Sequence, residues 1–114
     1  MWASEGRRLR GLPRAEVLGR AVPVATGWRV RLLGLALLER AEAGPGLLIP
    51  RCRSVHTFGM RFDLDLYFLD RTGGVIEARL VVPPGRLASC AAAGSVLELP
   101  SHAWRGESRI GPVP

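Results

Sequence analysis

Residues Met60–Val82 read MRFDLDLYFLDRTGGVIEARLVV, and the fold turns on their period. Met60, Phe62, Leu64, Leu66 and Phe68 are apolar, and they alternate with Arg61, Asp63 and Asp65. That period of two predicts a β-strand with one buried face. The Gly-bearing stretch Asp70–Gly74 predicts a hairpin loop, and Val75–Val82 the antiparallel return. Pro83-Pro84 then ends the ladder, because proline has no N–H to donate.

Working outward, Gly46–Pro50 (GLLIP) suits a short buried strand, and Ser95–Pro100 (SVLELP) a last one. Residues 16–25 are β-like, with Pro23 pushing them to a sheet edge or a bulge. Thr26 suits an N-cap, and residues 27–44 suit a helix closed by Gly44 and Pro45. A wide apolar stripe, Trp28, Leu32, Leu35 and Ala36 with Val30, Leu33 and Leu37 beside it, would lay that helix on a sheet. Gly34 in its middle costs about 1 kcal/mol against Ala, a cost that a close approach to a strand would explain. Residues 1–14 lack a sustained period and are expected to form a basic arm, with residues 15–114 as a single domain. The tail after Pro100, SHAWRGESRIGPVP, has no usable period. The expected fold class is therefore α+β: a small, twisted, mainly antiparallel sheet, barrel-like, with one main helix.

All 16 basic residues are Arg, the chain has no Lys, Asn or Gln, and the net charge is +6. The uniform use of Arg reads as compositional bias, so the charge is weak support for nucleic acid. An anionic surface or nucleic acid stays open as a partner through Arg7, Arg8, Arg10 and Arg14, although no aromatic platform accompanies them. The amino terminus lacks an apolar run behind its basic residues, and Leu32–Leu38 is far shorter than the ~18 residues a membrane span needs. A cytoplasmic protein is the expectation, with Cys52 and Cys90 as reduced thiols rather than a disulfide.

The central stretch Cys52–Gly74, CRSVHTFGMRFDLDLYFLDRTGG, together with the terminal SVLELP strand, resembles domain of unknown function family 192, also called uncharacterised protein family 0127. Arg31, Gly34 and Leu35 match the family's amino-terminal Arg-x-x-Gly-Leu segment, Met60 and Asp65 its strand, and Glu98 its last strand. The subset with a CRSVHTF motif and a later Cys is matched through Cys52, Ser54, His56, Thr57, Phe58, Met60 and Cys90. Two departures stand out: the tail after LELP, and Asp63 where the family has proline. The resemblance implies a compact, mainly antiparallel α+β domain of an uncharacterised prokaryotic family, and no established activity.

Two sets of residues carry possible chemistry. Ser54, His56, Thr57, Arg61 and Asp65 would make a shallow polar site for an unknown small molecule or protein, with no cofactor. The resemblance places a Cys on each side of the hairpin, so Cys52, His56 and Cys90 are expected to converge at one end of the sheet, with close, reduced and metal-free thiols, and they would make a metal or thiol site only with water or His102 in a fourth position. The Cys-x3-His spacing is not a zinc-finger signature, and a buried thiol with a hydrogen-bonded imidazole explains these residues as well. Asp63 and Asp65, if on one strand face, would pair with Arg61. A non-enzymatic binding or accessory domain leads. A metal-dependent or thiol enzyme is the alternative, and a binder of anionic surfaces is the third reading.

Overall fold

The computed structural model describes residues 6–101. Its elements are β1 (Arg14–Val17), β2 (Arg20–Pro23), α1 (Trp28–Leu33), a 3-10 turn (Arg40–Ala43), β3 (Leu47–Pro50), β4 (Ser54–His56), β5 (Leu64–Leu69), β6 (Val75–Val82), β7 (Leu87–Ser89) and β8 (Ser95–Pro100). The main sheet has the order β3-β8-β5-β6, and its strands are antiparallel. Two further antiparallel pairs, β1-β2 and β4-β7, stand beside it.

Side-chain alternation divides the core between the two faces of the main sheet. Leu64, Leu66 and Phe68 of β5 join Val96, Leu47 and Ile49 on one face, under Leu9, Leu35, Ala36 and Met60. Leu69, Leu97 and Leu99 pack on the other face against Val17 and Val22 of the β1-β2 hairpin. Covering on both sides explains why β8 is buried at every position from Val96 to Pro100.

The α+β, barrel-like expectation is overturned on both of its parts. The residues expected as one helix over 27–44 form a six-residue helix and, separately, a four-residue 3-10 turn. The chain is mostly antiparallel sheet, and that sheet is open, with β3 and β6 as its two outer strands. Helix α1 stops at Gly34, whose φ of 56° leaves the helical region, and Leu37 follows at φ 69°. No residue of α1 is buried, and Trp28 and Leu32 are exposed. Thr26 is not the cap either: Gly27 holds that position without a side-chain bond.

β6 and β8 span the residues their patterns predict, but the central strand starts at Leu64 rather than Met60. Met60 N–H donates to the Thr57 carbonyl in a turn, so Met60 is buried without being in the strand. Residues 16–25 split at the Leu18-Gly19 turn into the hairpin strands β1 and β2. Within the stretch expected as a basic arm, residues 7–11 form turns, and Leu9 is fully buried in the larger core. The Arg8 guanidinium donates to the Gly34 carbonyl at 2.8 Å and to the Ala36 carbonyl at 2.8 and 2.9 Å. Burial lowers its pKa, partly offset by Glu42. The tail from His102 onward lies outside the described residues.

Candidate functional site

Glu98 is the polar residue that the strand pattern of β8 places in the larger core. It lies between Leu47 of β3 and Leu66 of β5, and shares the face of Val96. Its side chain is 2% exposed. Desolvation pushes its carboxyl up to about 7, against a smaller downward pull from the Leu35 N–H. That N–H donates to Oε1 at 3.3 Å.

The break at Gly34 is what delivers this donor. A Cβ on Gly34 would lie 2.6 Å from Glu98 Oε1 and would push the carboxyl aside, and the positive φ itself favours glycine. Beyond the break the chain turns Leu35 down onto the carboxyl, and Arg8 holds the outward carbonyls of Gly34 and Ala36.

Above Glu98 a cavity of about 200 Å³ opens between α1, β3 and the β4-β7 pair. Arg31, Leu32, Ile49, Ser54, His56 and Leu87 line it with Glu98. His56 sits at its edge, with Nε2 at 2.9 Å from the Leu32 carbonyl and Nδ1 accepting the Phe58 N–H at 3.1 Å. These partners place the ring proton on Nε2, where it donates to Leu32. The ring also stacks on Phe58 at 5.5 Å between centroids. Ser54 Oγ faces Ser89 Oγ at 3.4 Å across the β4-β7 ladder. Arg31 spends its guanidinium on the carbonyls of Pro50 and Arg51. Leu32 and Leu87, at 57% and 71% exposed, give the mouth an apolar rim.

Of the residues expected in a shallow polar site, only Ser54 and His56 line this cavity. Thr57 is buried, donates through Oγ1 to the Pro83 carbonyl at 2.8 Å and accepts the Arg86 N–H at 2.8 Å. It clamps the loop between β6 and β7. Asp65 is buried beside Leu99, on the face opposite Glu98, and accepts from the Val81 N–H at 2.8 Å and from Ser101 Oγ at 3.1 Å. Leu80 and Val81 stand opposite this one residue, a β-bulge, and the carboxylate takes the N–H that the bulge frees. Arg61 is a surface group paired with Glu39, not with Asp63 or Asp65.

Cys52, His56 and Cys90 do not meet at one point. Cys90 N–H bonds the Arg53 carbonyl, which sets the two cysteines on neighbouring backbone segments. Their thiols have different surroundings: Cys52 Sγ donates to the Ser54 carbonyl at 3.2 Å, and Cys90 lies near the Glu77 carboxylate. Both sulfurs are free. Arg79 chiefly, with Cys90 adding to it, holds Glu77 below the usual carboxylate range. Cys52 belongs to another depression, with Arg51, Arg53 and Arg71, while His56 lines the Glu98 cavity. Among the described residues no group of three or more His, Cys, Asp or Glu is placed to hold a metal ion.

Glu98 and the Gly34-Leu35 turn were absent from the expected site. The available signal was a single carboxylate in the otherwise apolar VLELP run, since a lone acid on the buried face of a strand is costly unless something meets it.

The family model DUF192, described as Uncharacterized ACR, matches residues 13–108. A crystal structure of a protein of unknown function from Novosphingobium aromaticivorans DSM 12444 has a similar fold, with a TM-score of 0.59 at 18% identity over 79% of this chain and 69% of that one. No curated protein matches the chain.

Proposed function

The chain belongs to the DUF192 family, and on that premise we propose that it is a small non-enzymatic domain that binds a compact ligand in the Glu98 cavity. One observation carries this reading: a buried carboxyl that forms part of the wall of an open cavity and has, among the described residues, a single backbone N–H as its partner. A carboxyl needed only for the fold would be surrounded by donors, as Asp65 is. The apolar rim of Leu32 and Leu87 supplies contact area, and Ser54 and His56 supply polar edges.

Binding rather than catalysis follows from the state of the candidate groups. Both ring nitrogens of His56 are engaged by backbone groups, and the Cys52 thiol bonds the Ser54 carbonyl rather than the imidazole. The same reading puts the domain in the cytoplasm, where free thiols such as Cys52 and Cys90 persist. No helix among the described residues is long and apolar enough to cross a membrane.

The test is a fragment screen by amide chemical shifts on the isotopically labelled protein. Saturable shifts grouped at Leu35, Ser54 and His56, and abolished by filling the mouth with Leu87→Trp, are expected. Shifts that group elsewhere, or that survive Leu87→Trp, would remove this cavity as the binding site.

A further inference from the structure

Glu98 has two carboxyl oxygens, and the described residues give the side chain one donor, the Leu35 N–H on Oε1. The polar side chains close to it are turned elsewhere. Arg31 at the end of α1 is bonded to the Pro50 and Arg51 carbonyls, Arg8 to those of Gly34 and Ala36, and the His56 ring on β4 to Leu32 and Phe58. The strands on either side bring only apolar residues, Leu47 and Leu66, against it. In a chain with 16 Arg and a net charge of +6, the described residues thus leave the buried Glu98 carboxyl without a counter-charge.

A buried carboxylate without a partner is strongly disfavoured, and a cation within hydrogen-bond reach removes most of that cost. Leu32, Ile49, Val55 and Leu87 form the apolar part of the remaining wall, beside Arg31, Ser54 and His56. The volume of about 200 Å³ admits a fragment-sized body rather than a drug-sized one.

Resting on the binding role argued above, we propose that the ligand is a small organic amine whose protonated nitrogen pairs with Glu98 while its apolar body lies against Leu32, Ile49 and Leu87. A carboxylate or phosphate is the wrong charge for this floor, and a neutral alcohol returns only an uncharged hydrogen bond. Arg31 also lines the cavity and keeps its charge, but the donors it shows are turned to the Pro50 and Arg51 carbonyls, which leaves Glu98 as the group on the floor that a ligand's donor would meet.

Three probes of one shape, benzylamine, benzyl alcohol and benzoate, separate charge from fit. They are titrated into the full chain at pH 8, above the value of about 7 for Glu98, while amide shifts of Leu35, Ser54 and His56 are followed. Benzylamine should bind at least about tenfold more tightly than benzyl alcohol, and benzoate should leave these amides unmoved. Glu98→Gln, which keeps the shape and removes the charge, should bring benzylamine down to the level of the alcohol. An amine preference below about tenfold in the native chain, or equal binding of benzoate, overturns the amine assignment and leaves the cavity as a binding site. If none of the three moves these amides, the binding role of the cavity falls and the amine assignment falls with it.

Discussion

Gly34 and Glu98 fit each other to atomic contact: Oε1 of Glu98 lies 2.6 Å from where a Cβ on Gly34 would stand. The contact joins the end of α1 to the middle of β8. Gly34→Ala should cost about 2–3 kcal/mol, from strain at positive φ and from the forced contact. Urea unfolding measures it. In the double variant with Glu98→Ala the contact is relieved and only the φ strain remains, so the double variant should lose less than the sum of the two single losses, by more than about 0.5 kcal/mol. Simple additivity would show that the two residues do not meet.

Glu98 also gives stability a pH dependence of definite sign. Its carboxyl is raised from 4.5 to about 7 by burial, so the folded chain holds the proton more tightly than the unfolded one. The stability this group contributes is fully present below 4.5 and is lost as the pH rises through 7. The full loss is about 3 kcal/mol by linkage. Glu98→Gln removes the titration, so the native chain should lose stability relative to this variant between pH 5 and pH 8. Parallel urea curves for the two proteins across that range would show that the carboxyl is not desolvated in the fold.

Leu9 makes the amino-terminal stretch part of the core. Leu9→Ala should destabilise by about 2–5 kcal/mol, the range for a buried leucine. Removing residues 1–14 should cost at least as much, since the deletion also takes Arg8 from the Gly34 and Ala36 carbonyls. A truncated chain with unchanged thermal stability would place this stretch outside the fold.

Phe68 and Phe62 share a sequence pattern and differ in burial. Phe68 is fully buried in β5, while Phe62 lies before the strand and is only partly buried. Phe68→Ala should therefore cost about 3–5 kcal/mol, and Phe62→Ala distinctly less. A loss below about 1 kcal/mol for Phe68→Ala in chemical denaturation, the range of surface substitutions, would contradict the register of β5.

Asp65 separates a structural carboxylate from a binding one. Asp65→Ala leaves the Val81 N–H without its acceptor at the bulge and should cost about 2–4 kcal/mol. Benzylamine binding at the Glu98 cavity should stay unchanged in the folded fraction, because Asp65 points to the other face of the sheet. An affinity change above about threefold would tie the two carboxylates into one site.

The sequence by itself determined the strands whose period is local. β6 and β8 lie where Val75–Val82 and Ser95–Pro100 place them, and Leu64–Phe68 alternates as read, because alternation along an extended chain depends only on neighbours. Family membership was legible for the same reason, in one continuous run of residues. The helix was not legible. The apolar stripe from Trp28 to Leu37 satisfies a long helix on paper, but the chain breaks at Gly34 to meet a carboxyl 63 positions from Leu35. The polar site divided in the same way. Ser54 and His56 reached the cavity, while a bulge claimed Asp65 and a loop claimed Thr57. Which polar residue faces a cavity and which closes a backbone gap depends on pairings between distant strands. Tertiary structure alone makes those pairings, because the cost of a buried polar group is set by whatever the rest of the chain brings beside it.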